Sequence, residues 1–260
     1  MGVLNVTPDS FSDGGRYFTG DRAVAHGRQL IADGADIIDI GGESTRPGAM
    51  RISATEEQDR ILPVIAQLAP FGAVLSVDTM NASTARVAVG AGARIVNDVS
   101  GGLADADMLA AVAGTDATIV LQHWRGHSDD MYARAEYDDI VDEVIAELGA
   151  RVQAAVDAGI PLDRIVVDPG FGFGKQPADN WLLARGLPRI VAHGHTVMIG
   201  TSRKRMISEV LPDAASEARK DLATAVTSVL AAQAGVWAVR VHDVVSTRIA
   251  LAVRERWEGQ

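Results

Sequence analysis

Short apolar runs in this sequence end, one after another, in side chains able to do chemistry. The run Ile165-Val166-Val167 closes in Asp168 and opens at once into Pro169-Gly170-Phe171-Gly172-Phe173-Gly174-Lys175. The same turn from apolar to polar comes at Asn5, at Asp39 before Gly41-Gly42-Glu43, at Asp78-Thr79 and at Asn97-Asp98. It comes again at Gln122-His123-Trp124, at Thr201-Ser202-Arg203-Lys204-Arg205 and at Arg240-Val241-His242-Asp243. A single carboxylate of this kind is as easily a helix cap or half of a buried ion pair. Its recurrence at every apolar run is harder to explain as capping. The three glycines after Asp168 do not make a phosphate loop, which needs a Gly-Lys-Ser/Thr ending.

Sorted by what they bind, these groups define a substrate. Asp78, Asn97 and Asp168 offer two carboxylates and an amide, acceptors for a ring edge rich in N–H donors such as a pterin or guanine-like pyrimidine. Lys204 and Arg240 add cations, and a guanidinium can also stack on a ring face. Asn5, Arg240 and His242 suggest an anion with its divalent metal; Mg²⁺ held partly by substrate phosphates fits one protein amide better than a full cage. Residues 202–205 open a helix, whose free N–H groups favour a carboxylate or phosphate.

The elements that must bring these groups together alternate along the chain. Strands are expected at 3–6, 37–40, 74–77, 94–97, 118–122, 165–168, 197–199 and 237–241, with amphipathic segments between them. Val141, Val144, Ile145, Leu148 and Val152 form one helical stripe; Leu222, Ala225, Val226, Val229, Leu230 and Gln233 form another. Ser53-Ala54-Thr55-Glu56 fits a capping box, and Pro63 should kink or shorten the helix it starts. Eight strand-helix units are the arithmetic of an α/β (β/α)8 TIM barrel, whose strand ends converge on one face. A doubly wound sheet competes, but its glycine fingerprint is missing after the first strand. With no linker or composition shift, residues 1–260 read as a single domain with a short first strand.

Composition narrows the setting. The chain is 47% hydrophobic, and its formal net charge of -10 argues against nucleic acid or an anionic membrane as partner. The absence of cysteine excludes disulfides, thiolate metal sites and thiol nucleophiles. No apolar run approaches the roughly 18 residues of a membrane span, and the start does not read as a signal peptide. The expected compartment is the cytoplasm.

The stretches Asn5-Val6-Thr7-Pro8-Asp9-Ser10-Phe11-Ser12-Asp13-Gly14, Gly42-Glu43-Ser44-Thr45-Arg46-Pro47-Gly48, Asn97-Asp98-Val99-Ser100-Gly101, residues 168–175, Ser202-Arg203-Lys204 and Arg240-Val241-His242-Asp243 resemble the signatures of the dihydropteroate synthase family, in order over essentially the whole chain. That family joins a dihydropterin pyrophosphate to p-aminobenzoate. The resemblance implies catalytic roles for Asn5, Asp13, Arg46, Lys204, Arg240 and His242, and a pterin pocket of Asp78, Asn97, Asp168, Lys204 and Arg240. It implies a p-aminobenzoate slot of Phe11, Thr45, Pro47, Phe173, Ser202 and Arg205. Pyrophosphate would lie on Asn5, Arg240 and His242, with Mg²⁺ on Asn5. The family also suggests a homodimer through helices flanking the last strands, and a slot that sulfonamides enter.

Two positions depart from the pattern. Gln122 replaces a methionine usual against the pterin, so one wall should be more polar, and Met206 replaces a phenylalanine as a core swap. His123 and Trp124 read as wall or structural residues. A pterin-dependent methyltransferase shares the barrel but needs neither the 10–13 loop nor the 202–204 helix start. A noncatalytic pterin-binding paralogue should have lost an anion-clamp or loop residue, and none is missing.

Overall fold

The computed structural model describes residues 1–7, 16–43, 52–126 and 135–259. Eight parallel strands run in sequence order: β1 (Gly2–Asn5), β2 (Ile37–Gly41), β3 (Val74–Asp78), β4 (Ile95–Asp98), β5 (Thr118–Gln122), β6 (Ile165–Asp168), β7 (Thr196–Ile199) and β8 (Ala238–Val239). A parallel bridge between Gly2 and Val241 closes the last strand on the first. Val3 N donates to Val241 O and Val241 N to Met1 O, so the expected barrel is complete. β8 is shorter than the expected 237–241, although Arg240 N still donates to Ile199 O and Val241 N to Met1 O.

The helices fill the intervals: α1 (Arg16–Ala32), α2 (Ala54–Leu68), α3 (Ala82–Ala91), α4 (Met108–Ala113), α5 (Ile140–Asp157), α6 (Pro177–Arg185), α7 (Leu187–Ala192), α8 (Arg205–Glu209), α9 (Glu217–Gln233) and α10 (Val244–Glu258). Ser53 caps α2 by accepting from Glu56 N. Pro63 does not shorten α2, which continues to Leu68. On α5 the stripe Val141, Val144, Leu148 and Val152 is buried against the sheet.

Side chains alternate across a strand with period two. Ile38, Ile40, Leu75, Val77, Val96, Ile119, Leu121 and Val167 belong to the large core between sheet and helices. The alternate positions fill the barrel, and at its floor Met1, Ile37, Ile95, Val120, Val166 and Met198 form a second, separate apolar cluster. Two residues beyond Ile37, Ile95, Val120 and Val166 stand Asp39, Asn97, Gln122 and Asp168, and two beyond Ala238, which packs on the same cluster, stands Arg240. A greasy plug therefore supports a polar layer directly above it, at the carboxyl ends of the strands.

The second expected stripe is split, with its large residues turned outward. Leu222, Val226 and Leu230 are exposed, whereas Asp221, Thr224, Ala225, Ser228 and Ala231 face inward on α9. Small and polar residues let this helix lie close to the barrel rim. Val245, Ile249, Val253 and Trp257 extend an exposed apolar face over α10.

Candidate active site

The polar layer is organised by a buried carboxylate. Asp39, in the middle of β2 rather than at its end, accepts from Ser76 Oγ at 2.6 Å and Asn97 Nδ2 at 3.0 Å. Arg240 Nε donates to the same carboxylate at 2.6 Å, and Arg240 NH2 reaches Asp78 Oδ2 at 2.8 Å. One guanidinium thus ties β8 to β2 and β3 across the barrel. Asp78 stands on the rim, above the layer that holds Asp39 and Arg240. Burial is the main reason that the Asp78 carboxyl is pushed up to about 7, with Asp39 and Glu57 adding to the rise and Arg240 opposing it. Burial acts against the charge on Arg240, but Asp39 and Asp78 overcome it and hold the guanidinium above its ordinary value.

Asp168 lies at the end of β6, where it accepts from Gly170 N at 2.7 Å, and burial raises its carboxyl above the ordinary range. The turn after it can form because Gly170 has φ 70°; a Cβ there would stand 2.4 Å from the His123 carbonyl oxygen. Lys204 enters from the β7–α8 turn and donates to Phe171 O at 2.6 Å, with its ammonium 4.6 Å from the Phe173 ring centroid. Burial lowers the Lys204 ammonium to about 8, although Asp168 works to keep its charge.

That turn is itself clamped from α9. Arg203 takes a left-handed φ of 57°, unusual for a non-glycine residue. Its guanidinium is held in two parallel bonds by Asp221, at 2.7 and 2.8 Å, and by Glu217 at 2.8 Å. Ser202 Oγ accepts from His242 N at 3.1 Å and shares a hydrogen bond of 2.9 Å with His242 Nδ1. Ser202 and His242, expected in two different subsites, are therefore directly joined.

The remaining expected residues divide clearly. Asn5 ends β1 in register with Gly41, whose neighbour across β3 is Asp78. Phe173 is half-buried beside Lys204, while Arg205 opens α8 and is exposed. Phe11, Asp13, Thr45, Arg46 and Pro47 lie outside the described residues. Gln122 turns its amide to Val99 O at 3.3 Å, so one of its donors is taken by backbone. Met206 is buried in the core, as a swap for another apolar residue requires.

Asp39 and Asp221 carry more of the site than the sequence reading assigned them. A lone Asp among isoleucines in a buried strand was the available signal for Asp39, because such a charge demands a partner.

A mouth that presents two carboxylates and an amide beside a cationic pair, on a closed parallel barrel, defines a heterocycle-binding enzyme. The family model for pterin binding enzymes matches residues 1–242, and the chain belongs to that family. Relatives that it resembles over nearly its whole length include dihydropteroate synthases. The Mycobacterium leprae dihydropteroate synthase is 49% identical, over 99% of this chain and 92% of that protein. The Xanthomonas albilineans dihydropteroate synthase, solved with 4-aminobenzoic acid, superposes with a TM-score of 0.93 at 45% identity, covering 100% of this chain and 93% of that one. The same enzyme in complex with 7,8-dihydropteroate gives 0.89 at 42% identity, with the same coverages.

Proposed function

We propose that the chain condenses 6-hydroxymethyl-7,8-dihydropterin pyrophosphate with p-aminobenzoate, giving 7,8-dihydropteroate and pyrophosphate in folate synthesis. The observation that carries this reading is the single inward layer of Asn97, Asp168 and Arg240, with Asp78 at its rim. Asp78, Asn97 and Asp168 bind the pterin edge, and Lys204 supports the ring beside them. Arg240 can leave Asp78 for the ring face and the pyrophosphate while Asp39 keeps hold of its Nε.

The reaction breaks the C–O bond between the pterin methylene and the pyrophosphate, which departs with the electron pair. The electron-rich ring delocalises the positive charge left on carbon. The arylamine nitrogen then forms the C–N bond and gives up a proton. An arylamine is already a competent nucleophile, so no strong general base is needed. Arg240 and His242 stabilise the departing charge, and exclusion of water from the site protects the cation.

The residues present suit Mg²⁺. The Asn5 side-chain amide has no hydrogen-bond partner among the described residues, so its oxygen is available as the one protein ligand beside substrate phosphates. When bound there, the ion neutralises pyrophosphate charge. Among the described residues no cluster of three or more His, Cys, Asp or Glu forms a cage of its own.

The exposed apolar face of α9 and α10 supports a homodimer, since a patch of this kind marks an interaction surface. Phe11, Thr45 and Pro47 support entry of sulfonamides into the p-aminobenzoate slot. A charged pyrophosphate substrate, which does not cross a bilayer unaided, supports a cytoplasmic reaction. Pyrophosphate release tests the central reading: it should require the dihydropterin substrate and p-aminobenzoate together. Release with either alone, or none with both, overturns it.

A further inference from the structure

One buried lysine has no part in the reaction just described; burial lowers its ammonium to about 7, while Asp168 works to keep its charge. Lys175, at the end of the turn after β6, is only 1% exposed. A lysine is almost never buried so fully without paired groups around it. Its three N–H bonds find three acceptors: His123 Nδ1 at 2.9 Å, Gly170 O at 3.0 Å and Phe173 O at 3.0 Å. The two carbonyls belong to the turn itself, so the ammonium fills it from inside.

The third acceptor connects the turn to the outside of the barrel. With Nδ1 accepting, the His123 ring proton sits on Nε2, which lies 2.9 Å from Glu147 Oε2 but off the line of an N–H bond. Glu147 on α5 is held in turn by Arg125, at 2.5 Å. Tyr137 OH donates to Gly174 O at 2.7 Å, and Asn180 on α6 accepts from Gly172 N at 2.7 Å. Three side chains from outside the turn, His123, Tyr137 and Asn180, thus hold three of its residues, Lys175, Gly174 and Gly172.

What this scaffold holds in place is specific. Asp168 belongs to the β6 ladder, opposite Gln122, and its carbonyl is also held by His123 N at 2.8 Å. Phe171 O and the Phe173 ring lie beyond the ladder, and both face Lys204. The main chain that carries the Asp168 carboxylate would therefore stay tied without Lys175, with only its Gly170 N–H bond shared with the turn, so the larger displacement falls on the aromatic wall.

We propose that Lys175 is a positioning residue for the p-aminobenzoate slot, holding the 170–173 turn so that Phe173 and the Phe171 carbonyl meet Lys204, with His123 and Glu147 anchoring it from behind. This assignment rests on the dihydropteroate synthase reading of the site. An apolar residue would fill the same volume, but it would fix neither carbonyl.

The test compares Lys175→Met with wild type in steady-state kinetics and in calorimetric titration of the dihydropterin pyrophosphate. Wild-type turnover comes first, because its absence would refute the reading of the site and leave positioning a separate question for binding of each substrate. With turnover present, Lys175→Met should raise the KM for p-aminobenzoate about tenfold or more, while pterin affinity stays within about twofold. A merely structural lysine would lower thermal stability without that split. Equal losses for both substrates, or no change in either, would overturn the assignment. Should Lys175→Met fail to fold, Glu147→Gln and Tyr137→Phe carry the same test from the periphery. Each should raise the p-aminobenzoate KM by about threefold with pterin binding kept, and an unchanged KM in both would be equally decisive against the proposal.

Discussion

Arg240 Nε lies 2.6 Å from Asp39 Oδ2, although 201 positions separate the two residues in the chain. The same carboxylate oxygen receives Asn97 Nδ2, so one buried charge orients both a pterin-reading amide and the cationic clamp. Asp39→Asn can keep the shape of this arrangement, with its carbonyl oxygen toward Arg240 and Asn97 and its amide toward Ser76. It cannot keep the charge. Hydrogen bonds to charged groups contribute about 1.5–3 kcal/mol, so titration should show pterin pyrophosphate affinity falling by roughly one to two orders of magnitude. Affinity within about twofold of wild type would remove Asp39 from the site.

Asp78 gives the substrate-free protein a particular pH dependence. Its carboxyl ordinarily titrates near 3.8 and stands at about 7 in the fold, chiefly because it is buried. Between those values the folded chain keeps a proton that the unfolded chain has released, so this group's contribution to stability falls as pH rises. Asp78→Asn has no such proton to lose. Melting curves from pH 5 to pH 8 should therefore show wild type declining relative to Asp78→Asn, and parallel curves would contradict the assignment.

The turn after β6 has a steric requirement that can be separated from backbone strain. At Gly170, φ is 70° and a Cβ would meet the His123 carbonyl at 2.4 Å; at Gly194, φ is 88° with nothing within 4 Å. Gly194→Ala should cost about 1 kcal/mol, for the left-handed backbone alone. Gly170→Ala adds a clash with main chain and should cost roughly 2–4 kcal/mol, lowering Tm by about 5–10 °C in a chain of this size. Equal melting temperatures for the two variants would show that the turn relaxes freely.

These residues also show what the sequence could and could not reveal. Each strand could be found because a short apolar run stops at a polar residue, and period-two alternation then places Asn97, Asp168 and Arg240 in one layer. Lys175 read as no more than the end of a turn, because its partner His123 comes from a different strand, 52 positions away. The direction of the α9 stripe was open for a related reason. Leu222, Val226 and Leu230 carry helical spacing, but Asp221 and Thr224 are drawn inward by Arg203, and nothing local announces that demand. Periodicity gives a face; it does not say which way the face turns.

The resemblance to the family pattern implies that Asp13 stabilises the cation once pyrophosphate begins to leave. Asp13→Ala should therefore lower kcat more than it weakens pterin pyrophosphate binding. Equal loss in steady-state and titration data would place Asp13 in ground-state binding instead.

The most direct measurement is a crystal structure of the chain with the dihydropterin pyrophosphate bound and p-aminobenzoate withheld. The account predicts the ring edge within hydrogen-bonding distance of Asp78, Asn97 and Asp168, with Arg240 swung from Asp78 toward the pyrophosphate and still held by Asp39. A ring bound elsewhere, or a pyrophosphate on the far side of the barrel from Asn5 and His242, would contradict it.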